Sequence, residues 1–209
     1  MPCGMSPVMQ RGLGTKPFNA GSVRRTATRE AYFGEAVAIL DSEGFDALCV
    51  RSIVERLGVT KGSFYHHFKN WDDFVLGFLD AWEDDQTDRI ISLAEQTGTP
   101  AERTESFRRL AARIPHATEA ALRAWSQKNT FVNTALRRVD RRRHSFCARM
   151  FTQLVGDETQ GELFAWSAMA IMVGAQQMLE NPTEDKVYEM FGVVQTAMTV
   201  ARREEKQRG

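Results

Sequence analysis

Apolar residues recur along this chain at helical spacing, and no stretch alternates with the period of two expected of a strand. Residues 28–43 set Tyr32, Phe33, Ala36, Val37, Ile39 and Leu40 on one wide face, with Thr28 as N-cap and Gly44 as the stop. Val50–Leu57 carries Val50, Ile53, Val54 and Leu57 as a single stripe, and Gly58 supplies the left-handed residue that ends a helix. Thr60 then caps a short helix over about 61–68. Phe64 and Phe68 face inward there, while Lys61, Ser63, Tyr65, His66 and Lys69 face outward. Two short helices joined by a glycine turn, with donors and cations on the outer face of the second, are the pattern of a helix-turn-helix that lies against base edges and phosphates.

The apolar period continues beyond that unit. Asn70 caps a long helix, with Asp72 and Asp73 in its first turn, that runs to about residue 94 through Phe74, Val75, Phe78, Leu79, Trp82, Ile90 and Leu93. Gly98, Thr99 and Pro100 break the chain. Five further helical patterns follow, at about 101–113, 117–128, Thr130–Val155, 157–179 and 183–205, with Pro115, Gly156 and Asn181-Pro182 at three of the joints. The expected fold is all-α: an N-terminal three-helix DNA-binding domain with a helix-turn-helix, followed by a C-terminal helical domain. The expected organisation is a basic arm at 1–27, the DNA-binding domain at 28–74 and the second domain at 75–209.

Composition adds constraints. With 209 residues and 43% hydrophobic content the chain can bury one large or two modest cores. The net charge of zero lacks the basic excess usual for nucleic-acid binding until it is divided along the chain. Residues 1–71 hold nine basic and six acidic residues (+3), 72–100 one and eight (−7), 101–150 twelve and four (+8), and 151–209 five and nine (−4). The first 27 residues contain Arg11, Lys16, Arg24 and Arg25 and no acid. They read either as a disordered arm reaching the DNA backbone or minor groove, with Arg24 and Arg25 nearest the first helix, or as a solvated leader.

Other chemistry is sparse. Cys3, Cys49 and Cys147 have neither disulfide nor metal spacing, which suggests a reducing, cytoplasmic setting. No apolar leader is present, and the run 163–179 is broken by Ser167, Gly174, Gln176 and Gln177, so a buried helix is expected and a membrane span is not. Asp80, Asp84 and Asp88 fall at i, i+4, i+8 without a histidine, as an exposed face does; no metal and no cofactor is expected. A phosphate loop, HExxH, nucleophile motif or paired catalytic carboxylates with a nearby His are all missing from the sequence, which speaks against an enzyme.

Residues 28–74 resemble the DNA-binding domain of the tetracycline-repressor (TetR) family of bacterial transcriptional regulators. The residues carrying the resemblance are Gly44-Phe45, Val50-Arg51, Ile53, Leu57-Gly58-Val59, the run Thr60 to Lys69 and Phe74. EAALRAW at 119–125 and VDRRR at 139–143 also look like a recurring subset of the family's C-terminal domains. The resemblance implies that Thr60, Lys61 and Ser63 meet base edges and backbone, that Tyr65, His66 and Lys69 contact phosphates, and that Gly62 lets the backbone approach DNA closely. It further implies a homodimer through the last two helices, a double-stranded palindromic operator and a small-molecule effector that releases it. Regulation by a protein partner without an effector is the alternative.

The sequence departs from the family in three places. Leu48 stands where Thr often caps the second helix, so Cys49 or water must substitute and a poorly capped, more mobile head is expected. Val54 replaces a small Ala, and Ser52 replaces a common acid. Candidate effector contacts are Phe78, Trp82, Phe107, Trp125, Phe131, Phe146, Met150, Phe151, Trp166 and Met169, although an aromatic and Met stripe at helical spacing is more often plain core. Arg142 shares a face with Ala135, Val139, Phe146 and Met150. It needs either an internal acid such as Asp140 or Glu119, or an anionic ligand.

Overall fold

The computed structural model describes residues 27–96 and 98–208, with the side chains of 204–206 and 208 excepted, and among these residues every regular element is helical. Arg24, Arg25 and the rest of the expected arm up to residue 26 lie outside the described residues. The first four helices are α1 (Arg29–Glu43), α2 (Val50–Leu57), α3 (Lys61–His67) and α4 (Trp71–Glu83). They are followed by α5 (Arg89–Glu95), α6 (Pro100–Ala112), α7 (His116–Ser126), α8 (Thr130–Val155), α9 (Glu158–Met178) and α10 (Glu184–Arg208).

Local chemistry sets most boundaries. Thr28, Thr60 and Asn70 each accept a backbone N–H three residues on. Gly58 ends α2 at φ 66° and Gly156 ends α8 at φ 89°, both left-handed. At the start of α6, Thr99 and Glu102 form a reciprocal capping box with Pro100 at the first position.

Two expectations are refined. The helix after Asn70 runs through to Glu95 as expected, but a π turn over Asp84–Asp88 widens it between α4 and α5. The apolar period on either side is unbroken, so the extra residue leaves no mark in the sequence. Its effect is to turn the Gln86 carbonyl and the Thr87 hydroxyl toward α8. The start of α2 is also better closed than Leu48 suggests. Leu48 is buried, Cys49 takes the N-cap, and Ser52 accepts the Cys49 N–H at 3.1 Å. The same hydroxyl has the Ala47 and Cys49 carbonyls at 2.7 and 2.9 Å, so its proton closes the preceding turn. The residue that replaces an acid thus does the capping.

Two apolar cores form. The first joins α1, α2, α3 and α4 to α7 and the first half of α8, bringing Leu122, Trp125, Val132 and Val139 against the same cluster as Tyr32, Phe64 and Phe74. The second gathers α5, α6, the end of α8, α9 and α10. Along α9, Ala165, Ala168, Met169, Met172 and Ala175 are buried within this core. An added Cβ at Gly161 would meet the Thr152 backbone nitrogen at 2.7 Å, so α9 crosses α8 closely there. The outward face of α9 is instead Leu163, Trp166, Ala170 and Met178.

Candidate functional site

The short helix α3 is held from behind by aromatic rings. Phe64 and Phe68 are fully buried among Tyr32, Phe33 and Phe74, with ring centroids 5.0 to 5.8 Å apart. Seven residues are too few to be helical alone in water, so this packing is what sets the helix. Two polar contacts then fix its orientation. The buried Tyr32 hydroxyl donates to Ser63 Oγ at 2.8 Å. Arg29 donates to the His67 carbonyl at 2.7 Å, its guanidinium 4.4 Å from the centre of the Phe68 ring, and places a cation at the negative end of α3. Arg29 reaches that carbonyl across α4 at Gly77, where a Cβ would come within 2.6 Å of its Nη2.

The expected contact residues are distributed unequally. Thr60, Lys61, Gly62, Tyr65, His66 and Lys69 are exposed and share the outer side of α3 and its two ends. Tyr65 retains 54% of its surface. Ser63 is half-buried and already accepts the Tyr32 proton, so it holds α3 to α1 as well as lying beside Lys61. The Lys69 N–H donates to Asp73 at 2.9 Å, which fixes the backbone at the α3–α4 corner and leaves the side chain free to point outward. Gly62 has φ in the ordinary range, and an added Cβ would meet nothing nearer than Thr60 Oγ1 at 3.5 Å. Nothing inside the protein requires a glycine there. Arg29 and Tyr32 escape sequence reasoning because one sits at a helix start and the other in an apolar stripe, where neither shows its distant partner.

The second candidate region is a two-lobed cavity among α5, α6, α8, α9 and α10, each lobe holding about 30 Å³. Phe107, Ala111, Ala168 and Phe191 line both lobes, so they adjoin. Of the expected effector contacts, Phe107 and Met169 line the first lobe and Phe107 and Phe151 the second. Phe146 is buried with its ring 5.0 Å from Phe107, and Met150 packs in the same core. Phe78, Trp82 and Trp125 belong to the N-terminal core instead. Phe131 is 39% and Trp166 60% exposed; the Trp166 ring lies 4.1 Å from that of His144 on the outer face.

The buried cation is Arg143, not Arg142. Arg142 is half exposed and pairs with Asp88 at 2.7 Å and Glu83 at 3.7 Å. Arg143 holds Glu119 with both arms, at 2.6 and 2.8 Å, and donates to Thr87 Oγ1 and the Gln86 carbonyl in the π turn. Gln176 donates to the same carboxylate at 3.0 Å, and its own carbonyl accepts from Arg123, which pairs with Asp140. Burial pushes the Glu119 pKa up, but the paired Arg143 and these hydrogen bonds outweigh it and hold the carboxyl below the usual carboxylate range. His116 accompanies the network with its pKa lowered, first by burial. Cys147, on the cavity wall, is pushed up by burial to about 12 and stays a thiol. Among the described residues no group of His, Cys, Asp and Glu is arranged to hold a metal ion.

Residues 34–77, from within α1 to within α4, match the family model for bacterial regulatory proteins of the tetR family. That segment is a TetR-family DNA-binding domain. A curated relative, an HTH-type transcriptional regulator YwcC of Bacillus subtilis, is 36% identical over 62 residues, which is 30% of this chain and 28% of that protein. The chain therefore spans less than a third of that relative's length in the match. Solved structures extend the likeness to the whole fold. A TetR transcription regulator from Haloarcula marismortui superposes with TM-score 0.68 at 16% identity, over 81% of this chain and 97% of that one. A regulator from Saccharomonospora viridis in complex with choline gives TM-score 0.64 at 13% identity, over 78% and 93%. The matched segment is the helix-turn-helix unit, and α3 is its second helix. No helix among the described residues is long and apolar enough to cross a membrane.

Proposed function

We propose that the protein binds a palindromic operator as a homodimer and is released from it by a small-molecule effector. The observation that carries this is the division of α3 between Phe64 and Phe68, which are buried, and Thr60, Lys61, Gly62, Tyr65, His66 and Lys69, which are exposed around one surface. In this reading Thr60, Lys61 and Ser63 reach base edges and backbone, and Tyr65, His66 and Lys69 neutralise or hydrogen-bond phosphates.

One recognition helix reads too few base pairs to single out a site in a genome, so two heads are needed. The exposed apolar residues Leu163, Trp166 and Met178 on α9 and Val193 and Val200 on α10 support pairing of two protomers through these helices. The two-lobed cavity supports an effector site, with Phe107 and Met169 as contacts among those the sequence suggests. A route from cavity to head is supported by α7: Glu119 holds Arg143 on the cavity wall, while Leu122 and Trp125 on the same helix pack into the core that carries α1 and α3. Release requires the effector to favour one of two head spacings, a coupling of typically ~1 to 3 kcal/mol.

Selection of genomic fragments with the purified protein tests this reading. Enrichment of one palindrome, lost when Lys61 and Tyr65 are both replaced by Ala while the dimer persists, is the expected result. Uniform binding without a motif would refute it.

A further inference from the structure

Taking the two-lobed cavity as the effector site, the geometry points to the class of molecule it accepts: a compact, uncharged apolar ligand bearing one neutral hydrogen-bond-accepting oxygen.

Charge is what the cavity has no place for. Its walls are apolar except where Gln86, Thr87 and Arg143 meet one lobe and Thr104, Arg108 and Gln195 the other. A carboxylate would look to Arg143, but both arms of that guanidinium already hold Glu119, which is wholly buried and would be stranded if displaced. Arg108 is similarly engaged. Its Nε and Nη2 donate to the Tyr188 carbonyl, its Nη1 is bonded to Gln195 and lies 3.4 Å from Glu105, and its guanidinium stacks 3.6 Å from the Tyr188 ring centre. A cation fares no better. Glu119 is neutralised by Arg143, and the aromatic lining is limited to Phe107, Phe151 and Phe191, with a guanidinium in each lobe.

The Thr87 hydroxyl, beside the Arg143 guanidinium, has capacity to spare. The Thr87 hydroxyl accepts from Arg143 Nε at 3.2 Å, and no described residue accepts its proton. An alcohol, ketone or ester oxygen fits that donor. Size follows from volume and softness. Two lobes of about 30 Å³ hold only small molecules at rest, but Met169, Met172 and Met198 line them, and unbranched thioether side chains yield readily to an entering ligand. Chemistry at Cys147 is not involved, since its thiol stays protonated.

The full-length protein, titrated calorimetrically at neutral pH with 2-hexanone, hexanoate and hexylammonium, separates the classes because the three share a chain and differ in head-group charge. The expected result is saturable binding of 2-hexanone at least ten-fold tighter than of either ion. With methyl-labelled methionine, the Met169, Met172 and Met198 signals shift on titration and that of Met178, 84% exposed at the end of α9, does not. Ala168→Phe, which fills the junction of the lobes, abolishes binding if it folds, and the methionine signals decide in the native chain if it does not. Equal or tighter binding of hexanoate or hexylammonium, or shifts at Met178 alone, would overturn the assignment. Binding of 2-hexanone in the cavity without any change in operator affinity would leave the ligand class standing and remove the effector role. Failure of all three probes with intact operator binding would do the reverse.

Discussion

Arg143 on α8 and Glu119 on α7 form a two-armed ion pair, at 2.6 and 2.8 Å, in which the carboxylate is inaccessible to solvent and the guanidinium nearly so. The pair joins the cavity wall to the helix that packs under the DNA-binding head. Taking two charges out of water is costly, and their attraction with added hydrogen bonds offsets that cost only while both partners remain.

Removing one partner therefore harms more than removing both. Glu119→Leu or Arg143→Met alone should lower the unfolding free energy by about 3 to 5 kcal/mol, the cost of an uncompensated buried charge. The double variant should recover most of that loss. Urea unfolding of the four proteins forms the double-mutant cycle, and an additive result would show that the two charges do not depend on each other.

Acid should act on this network in two stages. The folded pKa of His116 is lowered from 6.5, chiefly by burial, so the unfolded chain binds its proton first. The stabilising share of neutral His116 is complete above 6.5 and is lost as pH falls from there toward its folded value. Glu119 is also lowered, from 4.5, with burial opposed and overcome by Arg143. Its share is complete above 4.5 and is lost only at lower pH, as the folded pKa is passed. Denaturation midpoints measured from pH 8 to 3 should fall through both windows. His116→Leu should flatten the first window, and the double variant of the ion pair the second.

Gly62→Ala separates folding from recognition. Because the new methyl meets only ordinary contact with Thr60 and Ala suits a helix better than Gly, thermal stability should hold or rise, by up to about 1 kcal/mol. If the glycine serves close approach to DNA, operator affinity should drop in a gel shift while dimerisation is unchanged. Unaltered affinity would remove Gly62 from the interface.

What could be read from the sequence follows the range of the forces involved. The caps at Thr28, Thr60 and Asn70, the stops at Gly58 and Gly156 and the burial of Phe64 and Phe68 all depend on residues within a few positions, and they were legible. The choice between Arg142 and Arg143 was not. Neighbouring residues on a helix differ by about 100° around the axis, and on a wide apolar face only the position of Glu119 on another helix decides which turns inward. Trp166 failed as a cavity contact for the same reason: α9 is apolar on both sides, and periodicity alone does not tell the face toward α8 from the face left open.

The start of α2 shows how a local departure can mislead and be tested. Leu48 cannot cap, yet the Ser52 hydroxyl reaches back to accept the Cys49 N–H and to donate to the Ala47 carbonyl, so the helix is closed by its third residue. Ser52→Ala should cost about 1 kcal/mol, as loss of a cap does. Leu48→Thr should gain little, since it would remove a buried apolar side chain where the end is already closed. Thermal melts of both variants read the difference directly.

Gly161 offers a test of how tightly the C-terminal helices are set. A methyl at this position would overlap Thr152 Oγ1 and stand 2.7 Å from the Thr152 nitrogen and 2.9 Å from its Cα. The hydroxyl can rotate away, but the backbone atoms move only if α8 and α9 part. In an exposed helix Gly→Ala would be stabilising; here overpacking should win, with a net loss of about 1 to 3 kcal/mol. Parting these helices also tilts the outer face of α9, so the variant should dimerise more weakly if Leu163 and Trp166 lie in the protomer interface. Sedimentation at several concentrations measures that, beside a melt for stability. A variant as stable as the parent would mean that α8 and α9 yield at this crossing more easily than their close approach implies.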